Sequence, residues 1–148
     1  FHEQTFNFSP LPFSLPQTML PFISILRPLN LLQATLAVIL TTALLDELSQ
    51  LNTLLLLILS VITINGAGNI INDIYDLEID RVNQPDRVLP AAKMSVPTAR
   101  IYMFSLFSLG IILAACISLP TFVIAGLIAT PTLIAYSIWL KRLPLIGN

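Results

Sequence analysis

Four stretches of nearly unbroken apolar residues, Leu29–Leu45, Leu51–Ile71, Ile101–Leu119 and Thr121–Leu140, succeed one another along the chain between short polar segments. Each is long enough, or nearly so, to cross a hydrocarbon core of about 30 Å as a helix, so the pattern predicts an all-α, multi-span transmembrane bundle. The polar positions inside these runs are placed with helical spacing. In the first, Asn30, Gln33, Ala37 and Thr41 form a narrow polar and small-residue stripe, expected to face a cavity or a neighbouring helix, for which interhelical hydrogen bonding is the simpler use. The second closes on Asn65-Gly66-Ala67-Gly68-Asn69, where the glycines let a helix or a ligand approach the backbone. In the fourth, Pro131 should bend the helix.

Directly after the second run come Asn72-Asp73-Ile74-Tyr75-Asp76-Leu77-Glu78-Ile79-Asp80. At 100° per residue, Asn72, Asp76 and Asp80 step forward by only 40° each and Asp73 lies beside them, so the four share an arc of roughly 100°. Asn65 and Asn69 fall on the same face, and a polar stripe therefore leads from within the bilayer to the acidic cluster. An aspartate at the bilayer centre costs about 2.5–3.5 kcal/mol on insertion scales. The cluster must lie at the interface or line a wet cavity.

Composition agrees, with 55% hydrophobic and only 10% charged residues and a mean hydropathy of +0.85. With four spans, all seven basic residues (Arg27, Arg81, Arg87, Lys93, Arg100, Lys141 and Arg142) fall on one side. That side is expected to be cytoplasmic and to hold both termini and the acidic cluster. Residues 1–21 are proline- and phenylalanine-rich, without helical period or signal-peptide pattern, and are expected to be a leader without function, with Met19 as the natural start. Residues 22–148 form the domain, and Pro144–Asn148 reads as the approach to a further span.

Solvated surface charge is the plain alternative for the acidic segment, but one-face spacing, aligned asparagines and the bases that follow argue for a site. An EF-hand does not fit, because its sixth position would be Arg81 instead of glycine and its twelfth Arg87 instead of glutamate. The arrangement suits a diphosphate held through Mg²⁺, which takes one or two carboxylates, phosphate oxygens and water. Arg87 offers a planar fork for phosphate, and Lys93 and Lys141 offer point charges.

These residues resemble the UbiA superfamily of intramembrane prenyltransferases, whose first signature, Asn-Asp-x-x-Asp-x-x-x-Asp, is met by Asn72, Asp73, Asp76 and Asp80. Arg27-Pro28-Leu29-Asn30, the loop Arg81-Val82-Asn83-Gln84-Pro85-Asp86-Arg87-Val88-Leu89-Pro90 and Tyr136 with Lys141-Arg142 are also similar to family segments, so the likeness covers about residues 22–148. Val88 departs from the proline common after the arginine, and Tyr136 precedes Lys141 by five residues where four is frequent.

The resemblance implies a bundle of about nine spans, of which about four are present, and transfer of an isoprenyl group from a prenyl diphosphate to a membrane-embedded or phospholipid-like acceptor. It implies Asn72, Asp73, Asp76 and Asp80 as Mg²⁺ ligands, the three aspartates being catalytic, with Arg87, Lys93 and Lys141 on the diphosphate and Arg27 and Asn30 on the acceptor. The family's second aspartate-rich motif is expected beyond residue 148, so this stretch alone should be inactive. The segment Asn83-Gln84-Pro85-Asp86-Arg87 is most similar to the branch whose acceptor is geranylgeranylglycerol phosphate. A homogentisate, chlorophyll or quinone-type aromatic acceptor is the competing substrate, and a non-catalytic membrane module or half of a transporter is the competing class. No nucleic-acid partner is expected.

Overall fold

The computed structural model describes residues 18–139. Helices follow in the order α1 (Leu20–Ser24), α2 (Pro28–Leu44), α3 (Leu51–Tyr75), α4 (Leu77–Asn83), α5 (Val96–Ile117), α6 (Leu119–Val123), a π-helical segment (Ile124–Ala129) and α7 (Thr130–Ile138). The last three run on without interruption as one 20-residue span, Leu119–Ile138. Of the four expected crossings, α3, α5 and this composite helix are long and apolar enough to span a membrane, whereas α2, with 17 residues, is a shorter apolar helix. Most of the leader assigned to 1–21, Lys141, Arg142 and the segment 144–148 lie outside the described residues.

Length sets the level of the acidic cluster. With 25 residues, α3 is about 37 Å long at 1.5 Å per residue, several ångströms more than the hydrocarbon core of about 30 Å. Its last turn can therefore stand in the interface while its leucine-rich start is still within lipid. Outward-facing Leu29, Leu40 and Leu44 are 76%, 63% and 86% exposed, and a surface of that kind is stable against acyl chains and not against water. The architecture is a transmembrane helical bundle.

Helix α3 is the centre of it, packing on α2, α5 and α7 and most extensively on α5. Buried Ser60, Ile64, Ala67 and Ile71 on α3 and Ala99, Met103, Phe107, Gly110 and Ala114 on α5 recur three and four residues apart, the repeat that lets antiparallel helices interlock along a seam. At Gly110 the backbones are so close that an added Cβ would stand 2.5 Å from Ile64 Cγ1 and 2.7 Å from Thr63 Oγ1. There the Ser60 hydroxyl donates to the Gly110 carbonyl at 2.8 Å. Gly110→Ala should therefore cost about 1–3 kcal/mol, read as a lower unfolding midpoint in detergent micelles. Gly126→Ala, whose Cβ would find only Ile111 Cγ2 at 3.6 Å, should be nearly silent in the same measurement.

Where a bend is expected at Pro131, the helix is π-helical over Ile124–Ala129, just before the proline. Proline has no N–H to give and its ring crowds the preceding turn; widening that turn relieves the crowding, and Thr130 N–H reaches the Ala125 carbonyl instead. Serine side chains set the starts of α5 and α6, with Ser95 accepting from Thr98 N–H at 3.2 Å and Ser118 from Thr121 N–H at 3.3 Å, the usual way of satisfying the first free amides. Gly66 and Gly68 do admit neighbours, Leu26 and Leu133 respectively. The stripe Asn30, Gln33, Ala37 and Thr41 is exposed on α2 and meets no helix among the described residues closely enough to be covered. Other positions of that helix meet α3.

Candidate active site

The acidic motif does not ride on one straight helix. α3 ends at Tyr75, Asp76 sits in the bridge region at φ −93°, ψ 2°, and α4 begins at Leu77. The hydrogen-bond ladder nevertheless passes through the corner, Asp76 N–H to the Asn72 carbonyl at 2.9 Å and Asp80 N–H to the Asp76 carbonyl at 2.7 Å. This keeps Asp80 beside Asp73 despite the change of helix.

Asp73 and Asp80 are 3% and 6% exposed, and such carboxylates stay charged at acceptable cost only when paired. Arginines supply the pairing. Arg27 Nη2 donates to Asp73 Oδ1, while Arg87 Nη1 donates to Asp80 Oδ2 at 2.6 Å and lies 3.7 Å from the same Asp73 oxygen. Both guanidiniums keep about a third of their side chains in contact with solvent. The result is a chain of alternating charge whose cations look outward.

Each arginine is held by its surroundings. Arg27 has the left-handed backbone conformation, φ 56°, ψ 74°, unfavourable for a residue with a Cβ. Pro28 follows it as the first residue of α2, and buried Asn69 donates from Nδ2 to the Leu26 carbonyl at 2.8 Å, pinning the α1–α2 corner to α3. Arg87 precedes buried Val88 and Leu89, whose burial with Met94 folds the loop back on the bundle; Lys93 N–H donates to the Val88 carbonyl at 2.9 Å. Removing the Asn69 amide leaves that Leu26 carbonyl without its partner. Asn69→Leu is expected to cost about 1–3 kcal/mol in thermal unfolding and to weaken binding of a prenyl diphosphate analogue.

Asn72 carries a different signal. Its Oδ1 is shut off from solvent and has no hydrogen-bond partner among the described residues, a condition native proteins rarely leave unexplained. It stands one turn before Asp76, whose N–H donates to the Asn72 carbonyl and which is half-buried at the corner. A buried amide oxygen without a partner, one turn before a carboxylate in the sequence, is a fitting ligand for a cation. No three Asp, Glu, His or Cys side chains converge on one point among the described residues, because Asp73 and Asp80 are turned to their arginines. The set fits a metal that arrives with its own phosphate oxygens, and not one held by protein alone.

The remaining expected site residues are more dispersed. Asn30 is exposed in the first turn of α2, and Arg27, expected at the acceptor, is the partner of Asp73. Lys93 is exposed and donates to the Asp86 carbonyl at 3.0 Å, apart from the carboxylates; Lys141 lies outside the described residues. Below the cluster, Asn65 lines an apolar cleft of about 300 Å³ with Val61, Ile64, Ile124 and Leu133. Sequence reasoning missed the arginine–carboxylate pairing and the task of Asn69. The apolar Val88-Leu89 pair within a polar loop was the available sign that Arg87 is fixed.

Comparison with known proteins identifies the family and the fold. Residues 30–148 match the UbiA prenyltransferase family. A digeranylgeranylglyceryl phosphate synthase of Methanoculleus marisnigri is 43% identical over 131 residues, covering 86% of this chain and 45% of the relative. The synthase of that name from Thermococcus kodakarensis is 40% identical over 128 residues, covering 86% and 46%. A solved structure described as giving insight into digeranylgeranylglyceryl phosphate synthase in membranes superposes with a TM-score of 0.83 at 29% identity, over 90% of this chain and 48% of its own. The chain thus spans a little under half the length of these relatives. With a family match over most of its residues and an all-helical bundle in common, the chain belongs to the UbiA prenyltransferase family.

Proposed function

We propose that the chain forms the donor-activating half of an intramembrane prenyltransferase that moves an isoprenyl group from a prenyl diphosphate to geranylgeranylglyceryl phosphate, with its active site at the cytoplasmic face. The supporting observation is the acidic corner of α3 and α4, where Asn72 Oδ1 has no partner among the described residues and two arginines look outward beside buried carboxylates. The lipid acceptor is favoured because the relatives from Methanoculleus marisnigri and Thermococcus kodakarensis are both named as digeranylgeranylglyceryl phosphate synthases.

Asn72 and Asp76, with Asp73 and Asp80 beside them, would hold Mg²⁺ with the donor. When bound, it neutralises charge on the departing diphosphate. Arg27 and Arg87 are within reach to turn a planar fork of N–H donors to phosphate oxygens, and cations aimed where negative charge develops lower the barrier to breaking the allylic carbon–oxygen bond. The acceptor hydroxyl oxygen then bonds to that carbon and its proton passes to the diphosphate. Apolar walls such as Val61, Ile64 and Leu133 suit the prenyl tail and keep water from the cation.

The protein expressed with the whole of its natural reading frame should convert radiolabelled geranylgeranyl diphosphate and geranylgeranylglyceryl phosphate to a doubly prenylated lipid only with Mg²⁺ present. A prenylated aromatic product formed from homogentisate in its place would reject the lipid acceptor.

A further inference from the structure

Between α5 and α7, on a side of α3 away from the acidic stripe, lies a second cleft of about 440 Å³. Ile71, Ile74, Met103, Phe104, Ile134 and Ile138 make its walls, and Tyr75 and Arg100 also line it. On the wheel of α3 the three residues that line this cleft, Ile71, Ile74 and Tyr75, centre more than 120° from the face of Asn72, Asp76 and Asn69. Arg100 is exposed and takes part in no ion pair among the described residues. It is thus unlike Arg27, Arg81 and Arg87, which all have carboxylate partners.

A guanidinium with no ion-pair partner among the described residues, beside apolar walls at the level where α3 leaves the bilayer and α5 enters it, has a specific complement. We infer that this cleft binds an anionic membrane phospholipid, its phosphate on Arg100 and part of one acyl chain along Ile74, Phe104 and Ile138. Charge complementarity selects the head group, since a guanidinium binds phosphate in its planar fork and basic residues at this level of a membrane attract anionic lipid. The tyrosine ring of Tyr75, 42% exposed, suits the head-group layer. The bound lipid is not the acceptor of the proposed reaction, because a donor on the acidic face would be separated from it by the body of α3.

The test uses the protein expressed from its whole reading frame in nanodiscs, with Phe104→Trp as a fluorescent reporter in the cleft. Brominated phosphatidylglycerol at one part in ten of phosphatidylcholine should quench the reporter at least threefold more than brominated phosphatidylcholine at the same fraction. Adding Arg100→Gln should abolish the difference, whereas Arg27→Gln should leave it intact. Equal quenching by the two lipids, or full selectivity in Arg100→Gln, overturns the inference. Should Phe104→Trp fail to fold, native mass spectrometry of wild type and Arg100→Gln gives the same decision from retained phosphatidylglycerol. Loss of that selectivity on adding a prenyl thiolodiphosphate would also overturn it, by assigning the cleft to donor. None of these readouts depends on prenyl transfer, so this assignment and the proposed activity fail or stand separately.

Discussion

Asp76→Ala in the complete enzyme should lower Mg²⁺-dependent prenyl transfer by roughly 10²–10³-fold, the loss typical when one preorganised electrostatic contact to a transition state is removed. The residue stands at the corner between α3 and α4, half-buried, one turn after Asn72 with its orphaned oxygen. Asp73 and Asp80 retain their arginines in this variant, and the unfolding midpoint is measured beside the rate. The rate is measured with saturating acceptor and varied Mg²⁺. Unchanged transfer would remove Asp76 from the metal site, whereas a matching loss of folded protein would assign it to structure.

Arg87→Met should have the larger effect on stability, about 3 kcal/mol. Breaking a buried ion pair from one side costs about 3–5 kcal/mol because the other charge is left without compensation. The lower end applies because a third of the Arg87 side chain meets solvent while the side chain of its partner Asp80 is only 8% exposed. Combining Arg87→Met with Asp80→Leu removes both charges, and most of the lost stability should return. Transfer should not return, since the double variant lacks both a phosphate-binding cation and a signature carboxylate. Reversible unfolding in mixed micelles, run beside the transfer assay, separates these outcomes. A double variant no more stable than the single one would show that the pairing with Asp80 is not what Arg87 contributes.

Much of this arrangement could be read from the chain because membrane spans and one-face acidic spacing are local properties. The runs Leu51–Ile71 and Ile101–Leu119 needed only their own composition to be recognised, and they correspond to Leu51–Tyr75 and Val96–Ile117. Pro131 announced a distortion, though not its form, since a π turn depends on what the helix packs against. The helical wheel placed Asn72, Asp73, Asp76 and Asp80 together, yet it assumed one helix through Asp76. What escaped the sequence was long-range pairing. Arg27 lies 46 residues from Asp73 and Asn69 lies 43 from Leu26, and no periodicity links such positions. Gly110 escaped for the same reason, because only the approach of Ser60 and Ile64 from α3 makes its missing side chain necessary.

The measurement that bears most directly on the donor site is a structure of the complete protein with Mg²⁺ and a non-ionisable geranylgeranyl thiolodiphosphate. Diphosphate density against Asn72 and Asp76, with the guanidiniums of Arg27 and Arg87 on its oxygens, is the expected result. Diphosphate bound away from the α3–α4 corner, with both arginines still on Asp73 and Asp80, would contradict it.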